Sequence, residues 1–186
     1  MADVSLTEAA HRRASDAEQV TWVDQDNQVL GQISRVELRE RGLIGRGTFV
    51  FLFNSKGELC VHQRTFSKAL YPGYWDIAAG GMVAAGETDA DSAARELAEE
   101  LGIVGVPLKA HGRLYFDHPD NRLWCAIFSA VSDAPLQLQP EEVLQAQFIA
   151  LEQLPAWFAG RDLCPDSLAM MRQVPALAEW VVTSRS

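Results

Sequence analysis

A chain of 186 residues is long enough for one domain with a proper core and too short for two of ordinary size. Its composition, 48% hydrophobic and 22% charged, is typical of a soluble globular protein, and a net charge of −9 excludes nucleic-acid binding through a basic surface. No run of about 18 apolar residues is present to span a membrane, and the opening MADVSLTEAAHRRASDAEQ lacks the apolar centre of a signal peptide. Residues 1–19 are polar and alanine-rich, which suits a frayed helix without a function, and residues 20–183 are expected to form the single domain. Val20–Val23 and Val29–Ile33 flank Asp24–Asn27 and read as a β-hairpin. Ser34 can cap a short helix through about Arg41.

Gly47–Phe53 is a continuous apolar run and predicts a buried strand, turned by Asn54–Gly57 into a second strand over Glu58–Arg64. A loop holding Pro72 and Gly73 leads to a short strand over Trp75–Ala79, and Gly80-Gly81 reads as a tight turn that also admits close backbone approach to phosphates and a metal. Strands are predicted over 111–117 and 122–131, joined by His118–Asn121, with a last strand over Gln147–Ala150. Leu151–Phe158 and Asp166–Val182 read as helices, the second interrupted at Pro175. Helices interleaved with strands and hairpins predict an α/β fold, a mixed sheet covered on both faces.

Between these elements lies GMVAAGETDADSAARELAEELGI, Gly81–Ile103. Thr88 can cap a helix, Ala90, Ala93, Ala94, Leu97 and Leu101 make an apolar stripe, and Gly102 suits the left-handed closing position, so the helix runs from about Asp89 to Leu101. Glu96, Glu99 and Glu100 then stand at i, i+3 and i+4, where like charges repel. A hard divalent cation with oxygen ligands offsets that repulsion; a solvated acidic face is the alternative. Arg95 reaches Glu99 one turn away and back toward Glu87, so it can orient carboxylates that face a metal.

The pattern G-x5-E-x7-R-E-L-x-E-E-x-G-I is matched at every fixed position, and by it the chain resembles the Nudix hydrolases. The resemblance implies a three-layer α/β/α sandwich and hydrolysis of a diphosphate bond in a nucleoside diphosphate derivative or related small diphosphate. It implies Mg²⁺ or Mn²⁺ held by Glu96, Glu99 and Glu100, with Glu99 counted among the catalytic residues and Glu87 and Arg95 as a supporting pair. Glu142 matches the first glutamate of a late family segment and is a catalytic candidate, as base or as a further metal ligand, whereas the second is Gln145 here; an exposed loop at Glu141-Glu142 is the alternative.

From about Val23 to Leu168 the chain is also similar to type I isopentenyl diphosphate isomerase and its hydrolase-like bacterial relatives, through the stretch Arg64–Trp75. That resemblance implies that Arg64 and Lys68 bind the substrate diphosphate, with Gly80 and Gly81 beside them. Gly80, Met82 and Leu123 stand where the isomerase has a cysteine, a histidine and a glutamate, and none of the three can titrate, so isomerase chemistry is disfavoured. A non-catalytic nucleotide-binding member remains the other alternative. The acidity of the chain opposes binding of an anion unless local cations override it, which favours a metal-assisted site. Cys60, Cys125 and Cys164 lack metal-ligand spacing and read as buried thiols in a reducing cytoplasm. His11, His62, His111 and His118 lack it too and read as structural or exposed. The expected partner is a small diphosphate, with neither nucleic acid nor membrane, and a homodimer is left open.

Overall fold

The computed structural model describes residues 2–178, with side chains from residue 10 onward. Helix α1 (Ala2–Ala17) leads into the hairpin β1 (Gln19–Val23) and β2 (Val29–Ser34). Ser34 then caps α2 (Arg35–Glu40) by accepting from the Glu37 N–H. Strand β3 (Ile44–Phe53) turns into β4 (Leu59–Arg64), followed by the two-residue β5 (Trp75–Asp76) and by β6 (Ala79–Met82). Helix α3 (Asp89–Leu101) is capped by Thr88, which accepts from the Asp91 N–H, and closed by Gly102 at φ +71°. The long hairpin β7 (Lys109–His118) and β8 (Asn121–Val131) follows, then β9 (Val143–Ile149). A single 3-10 turn leads into α4 (Leu154–Phe158), then α5 (Pro165–Met170) and α6 (Pro175–Ala178).

β3 organises the sheet because both of its edges are used. One edge takes β1 and then β6, both antiparallel, while the other takes β8 in parallel register from Gly45↔Leu123 to Phe53↔Val131. β4 leaves β3 after the single pair Phe53↔Leu59 and pairs instead with β5 and β9. The mixed sheet expected from the sequence is therefore present. Its period-two alternation separates two cores. Phe49, Phe51 and Phe53 join Leu59, Val61, Ile127, Leu154, Met170 and Leu177 on the face covered by α4–α6. Val50 and Leu52 join Cys60, Ala126 and Phe128 under Ala93, Leu97 and Leu101 of α3 on the other. Helices on both faces give the α/β/α layering.

Several expectations need adjustment. Gly80 and Gly81 are strand residues opposite Phe49 and Thr48, and neither has positive φ, so a tight turn is not why glycine stands there. Strands β3 and β9 begin earlier than their apolar runs because pairing with β1 and β4 extends them over less apolar residues. The helix expected over Asp166–Val182 is two short helices, α5 and α6, with a 3-10 turn at Met171–Gln173 before Pro175; residues beyond 178 lie outside the description. Residues 2–17 are helical as expected, but α1 meets the rest of the chain through His11, Ser15 and Asp16. All three cysteines are free and buried. Among the described residues no helix is long and apolar enough to cross a membrane.

Candidate active site

The apolar stripe of α3 binds it to the sheet, and that docking turns Glu96 and Glu100 inward: they are 8% and 1% exposed. β6 runs against the same helix. Gly80 N–H donates to Glu100 Oε2 at 3.2 Å, and a side chain on Gly81 would collide with the Glu96 carboxylate. A side chain on Gly80 would run into the Thr48 carbonyl of β3. Close approach on two sides thus explains both glycines.

Arg95 gathers the outer carboxylates. Its Nε and Nη2 each donate to Glu87 at 2.9 Å, a paired contact, while Nη1 donates to Glu96 at 2.9 Å and to Glu99 at 3.0 Å. These bonds hold Glu87 below the usual carboxylate range, Arg95 being the main cause. Lys68 does the same for the inner ones, with Nζ 2.8 Å from Glu142 Oε2 and 3.6 Å from Glu100 Oε1. Glu142 is not in an exposed loop: its side chain is 15% exposed, and its other oxygen is 2.8 Å from His11 Nε2. Burial would raise Glu142, but Lys68 and His11 outweigh it and hold the carboxyl down at about 2.

Burial dominates at Glu100 and pushes it up to about 8, against the attraction of Lys68 and with the repulsion of Glu142 and Glu96. Glu96 is raised by burial as well, partly countered by Arg95 and Arg35. His62 Nε2 lies 3.8 Å from Glu100 Oε2, but burial lowers His62 to about 4 and so leaves it a neutral neighbour at physiological pH. Two buried carboxyls raised by desolvation offer oxygen donors, which suit a hard divalent cation. Among the described residues no three acidic, histidine or cysteine side chains already converge as a ligand set. Glu99 in particular is half exposed and turned to Arg95, away from the gathered trio that the sequence suggested. The physical reason is that Arg95 and Lys68 each draw carboxylates to themselves.

This arrangement fixes a pH dependence. Glu100 has a folded value of about 8 above its ordinary 4.5, so the native state holds its proton longer than the unfolded chain. The stability it contributes is full below the ordinary value and is lost as pH rises through about 8. Glu142 has the opposite sign, with stability present above 4.5 and lost as pH falls through about 2. In EDTA, Tm is expected to fall as pH is raised from about 5 to about 9, and Glu100→Gln is expected to flatten that slope. A slope identical in the two proteins would show that Glu100 does not carry it.

Glu87, Arg95, Glu96, Glu99, Glu142 and Lys68 all line one cavity of about 580 Å³, together with Gly80, Gly81, Arg35 and, from α1, His11 and Ser15. Arg64 does not line it. Its side chain is 14% exposed and turns to Asp76, 3.3 Å away, and to the Leu70 carbonyl. The pairing of β4 with β9 is irregular at this point, Leu144 being passed over between Gln63↔Gln145 and Arg64↔Val143. Arg64 lines a smaller cavity of about 90 Å³ that shares Arg35, Gly80 and Gly81 with the first, and another of about 80 Å³ together with His11, Arg35, Lys68 and Glu142. Gly80, Met82 and Leu123 all meet in the cavity of about 90 Å³, walled by Leu38, Leu43 and Phe49, with Asp76 and Asp166 also present. Burial and Asp76 raise Asp166 to about 6.

Three site residues escape the sequence reading. His11 and His62 belong to segments far from the glutamate helix and carry no spacing signal. Arg35 lines all three cavities, and its only local mark is its place directly after the Ser34 cap.

Comparison with known proteins agrees with this architecture. Residues 43–166 match the NUDIX domain. The chain is 64% identical over 163 residues to the uncharacterized Nudix hydrolase PA4841 of Pseudomonas aeruginosa, covering 88% of this chain and 96% of that one. It is 39% identical over 170 residues to the uncharacterized Nudix hydrolase YfcD of Escherichia coli K12, covering 91% and 90%. Among solved structures it superimposes on DR0079 of Deinococcus radiodurans with a TM-score of 0.71 at 28% identity, over 84% of this chain and 99% of that one.

Proposed function

We propose that this chain, which belongs to the Nudix family, is a metal-dependent pyrophosphohydrolase that cleaves the diphosphate bond of a nucleoside diphosphate derivative or related small diphosphate. The observation that carries this reading is one cavity in which Glu96 and Glu99 of α3 and Glu142 stand together with Lys68 and Arg35. An acidic protein needs such local cations to admit an anionic substrate. Glu96, Glu99 and Glu100 are the residues that would hold Mg²⁺ or Mn²⁺. Bound there, the cation supplies charge neutralisation for the diphosphate and acidifies a water.

The chain's own groups supply the rest. Lys68 and Arg35 bind diphosphate oxygens and so position the phosphorus for in-line attack. Glu142 is held ionised; each of its oxygens keeps a lone pair beyond the one engaged by Lys68 or His11, so it can take the proton of the attacking water. Arg95 aligns Glu87, Glu96 and Glu99. The test is phosphate release from a panel of nucleoside diphosphate derivatives and small diphosphates, with Mg²⁺ or with EDTA. Binding without release by the wild type would favour a non-catalytic binder, and formation of allylic isomers from isopentenyl diphosphate would revive the isomerase reading.

Lys68→Ala is expected to lower kcat/KM about ten- to a hundredfold, the worth of a charge-assisted contact. Arg64→Ala is expected to act elsewhere: it strands the buried Asp76, which is 5% exposed, and costs about 3 kcal/mol of stability. Steady-state kinetics and thermal melts of both variants on the best substrate separate the two. An Arg64→Ala protein with an unchanged Tm and a raised KM would restore the direct phosphate contact that the sequence suggested.

A further inference from the structure

Helix α1 forms one side of the carboxylate cavity through His11, Ala14 and Ser15, yet none of its described residues belongs to either hydrophobic core. Its described side chains hold the body by polar contacts. His11 Nε2 is 2.8 Å from Glu142 Oε1, Ser15 Oγ accepts from Arg35 Nη1 at 3.0 Å, and Asp16 Oδ1 accepts from Arg39 Nη2 at 3.0 Å. Of the three, only the histidine contact reaches a carboxylate of the cavity. An ionised carboxylate can only accept, so His11 Nε2 carries the proton and donates it. Lys68 donates to the other oxygen at 2.8 Å. With donors on both oxygens, the Glu142 side chain is held from two directions, one from the body of the domain and one from α1.

We propose that His11 is a positioning residue for the hydrolytic reaction: it orients Glu142 against Lys68, and the same bond keeps α1 closed over the cavity. The inference rests on the hydrolase reading through the role given to Glu142. A carboxylate tethered only by the flexible lysine chain would sample positions away from the attacking water, and small misplacements of a reacting group are costly. The histidine should therefore affect turnover more than substrate affinity, because it touches the base and leaves the diphosphate to Lys68 and Arg35.

The experiment compares His11→Ala and His11→Gln with the wild type on the best diphosphate substrate, and follows amide hydrogen exchange over residues 10–17 in His11→Ala and Glu142→Ala. In His11→Ala, kcat is expected to fall about tenfold with KM within about twofold. His11→Gln keeps a donor and is expected to recover most of the loss. Exchange over 10–17 is expected to speed up about tenfold or more in both alanine variants, since either one removes the same bond. Wild-type kcat in His11→Ala, or unchanged exchange in both variants, overturns the proposal. Should the wild type hydrolyse no diphosphate at all, the hydrolase reading fails and the positioning role falls with it, whereas an active wild type with an indifferent His11 sinks this inference alone.

Discussion

Glu100→Gln is expected to lower kcat/KM by about three orders of magnitude while leaving the protein folded, and Glu99→Gln to do so with no change in Tm. The two residues occupy opposite environments on one helix. Glu100 is 1% exposed, receives the Gly80 N–H at 3.2 Å and faces Lys68 at 3.6 Å; a glutamine keeps an oxygen for the amide and loses the charge. Burial already disfavours that charge, so its removal should leave the metal-free protein as stable as the wild type or more so at alkaline pH. Glu99 has a half-exposed side chain whose bond to Arg95 at 3.0 Å contributes little to folding. The common loss in both variants would be the charge available to a divalent cation, and such charge stabilisation is worth several kcal/mol. The measurement is kcat/KM under saturating Mg²⁺ beside a thermal melt. Retention of wild-type turnover by both variants would refute the site assignment.

Alanine substitution of the adjacent glycines is the second large effect, and it should split in two. Gly80→Ala drives a methyl into the Thr48 carbonyl of β3, and a backbone atom in the centre of a sheet cannot move aside. A loss of about 3 kcal/mol or more is expected, a Tm drop of roughly 6–12 °C for a chain of this size. Gly81→Ala meets a side chain, the Glu96 carboxylate, which can swing away only by giving up its 2.9 Å bond from Arg95. Its Tm should fall by only a few degrees, roughly 1 kcal/mol, while kcat/KM falls about a hundredfold, because the displaced group is a proposed metal ligand. Melting curves and kinetics of the two variants test the contrast. Full activity in Gly81→Ala would mean that Glu96 has room to spare and no part in the chemistry.

What the sequence made legible was what is encoded locally. The cap at Thr88, the apolar stripe and the closing Gly102 are all set within one segment, and α3 is where they place it. The two-faced sheet was legible because Phe49, Val50, Phe51 and Leu52 are apolar on both sides and strand-like in length. Contacts between distant segments were not. Gly80-Gly81 reads as a turn in any local scan, and only its pairing with β3 makes it a strand. Arg64 is a phosphate ligand by resemblance alone, and only the folded chain pairs it with Asp76 of β5. His11 and His62 reach the glutamates and Arg35 lines their cavity from three other elements, and no spacing rule can collect residues that only the folded chain brings together.

The parallel pairing of β3 with β8 has a consequence for how the protein is made. Residues 45–53 wait for partners at 123–131, nearly eighty positions downstream. A ribosome adds about 5–20 residues each second, so the phenylalanine-rich strand spends several seconds outside the exit tunnel with one edge bare. Ala126 and Phe128 of β8 also belong to the surface on which α3 rests. The glutamate helix, whose own signals would let it form early, therefore gains its full seat only when about two thirds of the chain has been synthesised. Slowed translation between β4 and β8 should prolong an intermediate with an unpaired strand edge, and nascent chains stalled there are the ones expected to recruit chaperones.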